Sequence, residues 1–170
     1  DYYLGMGQTA ENVAQFENVS REEQDEFAAQ SQQRATAALE RGFFEREITP
    51  IHTVDADGNP VVVKQDDCIR AGTTKEKLGE LKPVFRPDGT VTAGNACPLN
   101  DGAAAVIVMS DTKARELGIT PIARVVSSAV SALNPEIMGL GPIEACRQAL
   151  KRAGMTIDQI DLVEINEAFA

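Results

Sequence analysis

The chain is predicted to be α/β, with a mixed sheet covered by helices and an α+β excursion ahead of the buried core. Three observations carry that expectation. Residues 100–170 hold continuous apolar runs, "AAAVIVMS", "IARVVSSAV" and "IDLVEI", separated by amphipathic stretches. Apolar strands alternating with helices indicate a sheet buried on both faces. Residues 1–99 instead mix helix patterns with two short alternating segments and several Pro/Gly turns. The 170 residues are 43% hydrophobic and 25% charged, which is ordinary globular composition.

Residues Thr9 to Val19 read as a short helix. Ser20 opens a longer one, because Ser20 and Glu23 have capping-box spacing. Phe27, Ala28, Ser31, Ala35, Ala38 and Leu39 form its small-residue stripe, and Gly42 is placed to end it. "EITPIHTV" and "VVVK" alternate like edge strands around the turn "DADGNP". Residues Thr73 to Leu81 form a short capped helix, followed by a loop with Pro83, Pro87 and an Asp88-Gly89 turn. After the run ending at Ser110, that serine caps "DTKARELG", and "GPIEACRQALKRAG" supplies the last long helix. No internal repeat and no low-complexity segment interrupts the pattern.

Charge and cysteine usage narrow the function classes. Sixteen basic against 26 acidic residues give a formal charge of −10, which disfavours nucleic acid and anionic membrane as general partners. An anionic small molecule then needs a local basic or backbone N–H site. Cys68, Cys97 and Cys146 are widely spaced and His52 is the lone histidine, so zinc-ligand spacing is lacking. Unpaired thiols fit a reducing compartment, and the expected location is cytoplasmic. No apolar run is long enough to span a bilayer as a helix. The sequence starts without Met at "DYYLGMG" and stops within a core-like run, which reads as an internal piece of a longer polypeptide.

Local chemistry leaves several sites open. Cys97, in "TAGNACPLNDG", is either a nucleophile or a small, partly buried thiol, and a nucleophile requires a nearby cation, histidine or helix dipole. Asn166 and Glu167 follow the apolar run "LVEI", and ligands bind at the carboxyl ends of strands in open α/β sheets. An amide there orients a water or donates to an oxyanion; the alternative is a turn residue bonding its own backbone. Arg70 is a clamp for a phosphate or, alternatively, the partner of Asp66 or Asp67. "GLGP" at Gly139–Pro142 precedes a helix but lacks the frame of a dinucleotide motif. His52 reads as structural, and Met6 and Met138 as core filler by default.

The string as a whole resembles a thiolase. The resemblance is carried by "MGQTAENVA" (Met6–Ala14), "SREEQDEFAAQSQQRA" (Ser20–Ala35), "GTVTAGNACPLNDGAAAVIVMS" (Gly89–Ser110), "PEIMGLGP" (Pro135–Pro142) and "DLVEINEAFA" (Asp161–Ala170). These run collinearly through nearly the whole chain and match only the middle of a thiolase. The resemblance implies two similar α/β halves with a loop domain inserted in the first. Residues 1–99 would be loop domain, 100–120 the close of the first half and 121–170 the start of the second.

It implies acyl transfer between CoA and acetyl-CoA, as 3-ketoacyl-CoA thiolysis or reverse Claisen condensation, in fatty-acid degradation. CoA is a substrate, no resident cofactor is implied, and the parent protein would be a homodimer or homotetramer. One cysteine of the family is acylated, a histidine activates it and a second cysteine moves the α-proton. None of the cysteines here matches either position, so this chain by itself would be inactive. Asn166 matches the asparagine that holds a water in the oxyanion hole. Arg70 would face the nucleotide end of CoA, with Leu81 and Phe85 at the mouth of the site. Ala93, Cys97 and Leu99 would follow the pantetheine arm, while Met6, Met138, Ala168 and Phe169 wall the thioester end. Cys97 stands where many thiolases carry serine, and a thiol is the weaker hydrogen-bonding group. A relative that binds CoA or lipid without catalysis is the alternative.

Overall fold

The computed structural model describes residues 3–170, which divide into two compact units. One is built on Gly5–Pro98 together with Glu167–Ala170, the other on Leu99–Asn166.

In the first unit, α1 spans Met6–Glu17 and begins three residues before the sequence pattern suggests. It stops at Asn18, whose left-handed φ of 57° turns the chain so that the Val19 N–H donates to the Ala14 carbonyl at 2.8 Å; asparagine tolerates that conformation better than most side chains. Helix α2 follows at Arg21–Glu40 with the predicted capping box. The Ser20 hydroxyl accepts from Glu23 N–H, and the Ser20 N–H donates to the Glu23 carboxylate at 2.8 Å. Gly42, at φ 71°, follows its last turn. Ala28, Ala29 and Ala38 are buried along α2, but so are Gln24 and Asp25, whereas Phe27 remains 42% exposed. The stripe is therefore partly polar, because Gln24 and Asp25 bond to a loop far along the chain.

The hairpin is antiparallel, with β1 at Ile51–Val54 and β2 at Pro60–Val63, Ile51 opposite Val63 and Val54 opposite Pro60. Its turn is held by the Asp55 carboxylate, which accepts from the N–H groups of Asp57 and Asn59, both at 2.9 Å. Gly58 supplies the positive φ the turn needs. His52 lies exposed on this hairpin and not in a core. A short α3, Lys75–Gly79, is capped by Thr74 and buries Leu78. Leu78, Ala28 and Ala29 form a small apolar core, with Ala170 packed against it.

In the second unit, Ser110 caps α4 at Asp111–Glu116 as expected. Helix α5 runs Gly141–Ala153, with Pro142 in its first turn and Gly154 in the left-handed conformation after its end. Pro142 lacks the N–H that would go unpaired there, and Gly154 accepts φ 66° without a Cβ clash. The three apolar runs form no strand ladder among the described residues. The paired strands among the described residues are those of the β1–β2 hairpin, which lies in the excursion ahead of these runs. A strand exists by its hydrogen-bonded neighbour, and these runs have none among the described residues. Residues 127–131 are instead tied to α5 by side chains. Ser127 and Ser131 donate to the Ala149 and Gly141 carbonyls at 2.8 Å, and Arg152 donates to the Ser128 carbonyl.

Candidate functional site

The site grows from the turn Thr92–Asn95. Asn95 closes it by accepting the Thr92 N–H at 2.7 Å, while the Thr92 hydroxyl accepts the Gly94 N–H at 3.1 Å. Asn and Thr side chains commonly fold a turn back on itself in this way. The Asn95 amide then donates outward, to Asp25 at 2.9 Å and to the Thr90 carbonyl at 3.0 Å. Asp25 also holds Arg21 at 2.7 Å, and Arg21 reaches on to the carbonyls of Leu78 and Leu81. Thr92, Asp25 and Asn95 are all nearly inaccessible, so this is a buried, fully partnered polar network.

Helix α1 holds the other side of the same loop. Its Glu11 carboxylate accepts from Thr90 N–H at 3.0 Å, Val91 N–H at 2.9 Å and the Thr90 hydroxyl at 3.1 Å. Arg86 grips α1 through Gln8 and Asn12. Two glycines permit the close approach. A Cβ at Gly7 would fall within the Phe85 ring, and one at Gly94 would lie 2.5 Å from Leu78 and 2.6 Å from Leu81.

The segment Glu167–Ala170 docks on this loop. Cys97 N–H donates to the Ala168 carbonyl and Ala170 N–H to the Asn95 carbonyl, each at 2.9 Å, with Ala96 facing Phe169 in an antiparallel bridge. Phe169 meets Phe85 edge to face, with ring centroids 6.3 Å apart. The Ser31 hydroxyl of α2 donates to the Glu167 carboxylate. Between α2, the loop and this segment lies a groove of about 150 Å³, lined by Phe27, Ala28, Ser31, Gln32, Gly94–Pro98, Glu167 and Ala170.

Six of the sequence-predicted residues fall together here. Phe85, Ala168 and Phe169 pack as described, Leu81 abuts Gly94, Ala93 is exposed on the turn and Cys97 lines the groove. Cys97 is exposed, in contrast to the partly buried thiol expected of it, because its backbone and not its sulfur makes the docking bond. Met6 starts α1 beside Gly7 and is half exposed. Arg70 is exposed, and its guanidinium pairs with neither Asp66 nor Asp67. Its backbone is fixed instead. Gln32 accepts the Arg70 N–H at 2.8 Å and donates to the Cys68 carbonyl. Leu99, Met138 and Asn166 belong to the other unit. Leu99 is fully exposed, Met138 sits in the 3-10 turn Pro135–Leu140, and Asn166 is exposed.

Sequence reasoning missed Glu11, Ser31 and Gln32. Each acts on residues from 36 to 136 positions away, and no local pattern signals such a pairing. Among the described residues, no cluster of three or more His, Cys, Asp or Glu is arranged to hold a metal ion, and no helix is long and apolar enough to cross a membrane.

Comparison with known proteins extends the pattern along the chain. Residues 2–112 match the family described as thiolase, N-terminal domain, and residues 119–170 match thiolase, C-terminal domain. An acetyl-CoA acetyltransferase of Pseudomonas aeruginosa is 54% identical over 170 residues, covering 100% of this chain and 43% of the relative. A 3-ketoacyl-CoA thiolase of a Marinomonas species is 53% identical over 166 residues, 97% of this chain and 42% of its own length. Among solved structures, the acetyl-CoA acetyltransferase of Bacillus anthracis superposes with TM-score 0.92 at 46% identity, over 98% of this chain and 42% of that one. Human mitochondrial 3-ketoacyl-CoA thiolase gives TM-score 0.90 at 48% identity, again over 98% and 42%. The chain thus spans less than half the length of the relatives it matches. The N-terminal pattern runs through the turn at 92–95 and the C-terminal pattern through the docked segment 167–170, and the chain belongs to the thiolase family.

Proposed function

We propose that this chain is the CoA-receiving part of an acetyl-CoA C-acyltransferase, which transfers an acyl group between CoA and acetyl-CoA. The observation that carries the reading is the docking of Glu167–Ala170 on the Thr92–Asn95 turn. It gathers Phe85, Cys97, Ala168 and Phe169 around one hydrogen-bonded turn, as a wall for an extended apolar and amide-bearing arm requires. Preorganised walls lower the ordering cost of binding a flexible ligand. Arg70, whose guanidinium makes no ion pair among the described residues and whose backbone is clamped by Gln32, is available to a phosphate in an otherwise acidic chain. Asn166, immediately before the docked segment, is the residue assigned to the oxyanion water.

The nucleophile, its activating histidine and the second cysteine are not supplied by this chain. The reading extends to fatty-acid β-oxidation, supported by relatives that bear the name 3-ketoacyl-CoA thiolase. It takes CoA as substrate with no resident cofactor, and the parent protein as a cytoplasmic homodimer or homotetramer. Its domain boundaries are those of the sequence: 1–99 loop domain, 100–120 and 121–170 parts of the two halves.

Calorimetric titration with CoA tests the binding reading. Binding is expected, and Arg70→Ala is expected to weaken it about tenfold, the scale of one lost charge-assisted hydrogen bond. Absence of heat, or an Arg70→Ala variant that binds as well, rejects the assignment.

A further inference from the structure

Gly7, the second residue of α1, is buried although it has no side chain, and the ring of Phe85 lies over it. Its backbone is helical, and the glycines with positive φ among the described residues are others. Alanine is the better helix former, so what calls for glycine here is space. A Cβ at this position would meet three atoms of the Phe85 ring well inside contact distance. The same ring stands edge to face with Phe169, at an interplanar angle of 76°. Gly7, Phe85 and Phe169 belong to one compact unit. We propose that Gly7 is a positioning residue for CoA: having no side chain, it lets the Phe85 ring lie on α1 and so sets where the wall of Phe85 and Phe169 stands, without itself touching the ligand.

The backbone around Phe85 is fixed and cannot take up a change at Gly7. The Phe85 carbonyl accepts from the Gln8 amide of α1 at 2.6 Å, and the Val84 N–H donates to the Val91 carbonyl at 3.0 Å. Arg86 donates to the Gln8 amide oxygen at 2.8 Å. A Cβ at position 7 is therefore accommodated by rotation of the Phe85 side chain. Phe85 is 40% exposed, so its ring has solvent to move into while the helix keeps its place. The displaced ring gives up its edge-to-face geometry with Phe169 and enters the space that an extended arm would use along this wall.

This role rests on the reading of Phe85 as a wall of the CoA site, and a double-variant cycle separates the two. In calorimetric titration with CoA, Gly7→Ala is expected to bind about fivefold more weakly than the parent. Phe85→Ala is expected to bind about tenfold more weakly. Adding Gly7→Ala to Phe85→Ala is expected to change affinity by less than about twofold, since the ring through which Gly7 acts is gone. A glycine with a merely structural role lowers affinity equally in both backgrounds, and that result overturns the proposal. So does a Gly7→Ala chain that binds CoA as tightly as the parent while Phe85→Ala binds more weakly. If Phe85→Ala itself binds as tightly as the parent, the wall reading fails and the proposal falls with it. The double variant carries no clash, so it reports on Gly7 even where Gly7→Ala alone is unstable. The NMR signals of the Phe169 ring are expected to shift in Gly7→Ala, and to be alike in Phe85→Ala with and without Gly7→Ala. Phe169 signals that stay in place in Gly7→Ala overturn the placement of the ring by Gly7.

Discussion

Glu11 sits 4% exposed on α1 with two backbone N–H groups and a hydroxyl aimed at its two oxygens. Its neighbours fix what each replacement does. Glutamine keeps one acceptor oxygen for Thr90 and Val91, but its NH2 faces a hydroxyl that already accepts from Gln24. The loss is then charge assistance and one misdirected hydroxyl, about 1 kcal/mol. Alanine leaves one buried and two half-buried donors without an acceptor and costs about 3 kcal/mol. Urea unfolding is expected to order the midpoints as parent, Glu11→Gln, Glu11→Ala, with the slope unchanged. Equal losses for the two variants mean that the carboxylate charge, which both lose, and not the number of donors left unsatisfied, is what matters at this position. None of this was legible in the sequence, because Glu11 and Val91 are 80 residues apart. Asn95 was visible only as part of a motif; that its two amide donors serve Asp25 and Thr90 required coordinates.

Elements were legible where the signal was local. The Ser20–Glu23 spacing announced the start of α2, Gly42 its end, and Asp55-to-Asn59 the hairpin turn, since each motif closes within five residues. The capping box also makes a pH-dependent contribution. The Ser20 N–H, and after it the Ser20 hydroxyl, hold the Glu23 carboxyl below its ordinary pKa, with slight desolvation opposing them. A depressed carboxyl stabilises the fold above the unfolded pKa, about 4.3, and that contribution is lost as pH falls through the lowered folded value. Ser20→Ala removes the hydroxyl and leaves the backbone bond, so the Glu23 pKa is expected to rise part of the way back in an NMR titration. The same change is expected to speed exchange of the Glu23 amide about fivefold at neutral pH, a cap loss of about 1 kcal/mol. Below the folded pKa the excess narrows, because the carboxylate arm of the box is then lost in both proteins. The apolar runs after residue 100 have the composition of buried strands, yet they are exposed and unpaired among the described residues. Composition reports what a segment needs to bury; it does not report whether the neighbour is present.

At the scale of the whole molecule, that missing neighbour governs behaviour in solution. Val106, Ile107 and Val108 are each more than three-quarters exposed, as are Ile122 and Val130, and Leu162 is 84% exposed. Monomeric proteins rarely leave such runs uncovered, and unpaired strand-like backbone beside them is a template for pairing with another chain. Covering one valine or leucine side chain is worth about 1.5–3 kcal/mol, so pairing a few residues per copy suffices for association at micromolar concentration. The 18.2 kDa chain is therefore expected to elute as dimers or larger species, with a size that climbs with concentration, and to bind an apolar dye. Lysine placed within the runs, as Val106→Lys with Val126→Lys, opposes edge pairing by charge and is expected to return the chain toward monomer. Val62→Lys is the matched control: Val62 is also half exposed, but its hairpin backbone is already paired with β1. A monomeric parent chain at all concentrations, or equal rescue by Val62→Lys, places the adhesive surface elsewhere. If the runs after residue 100 are responsible, the double variant alone loses dye binding while its CoA titration matches that of the parent, because Arg70 and the docked segment lie in the unit that it leaves untouched.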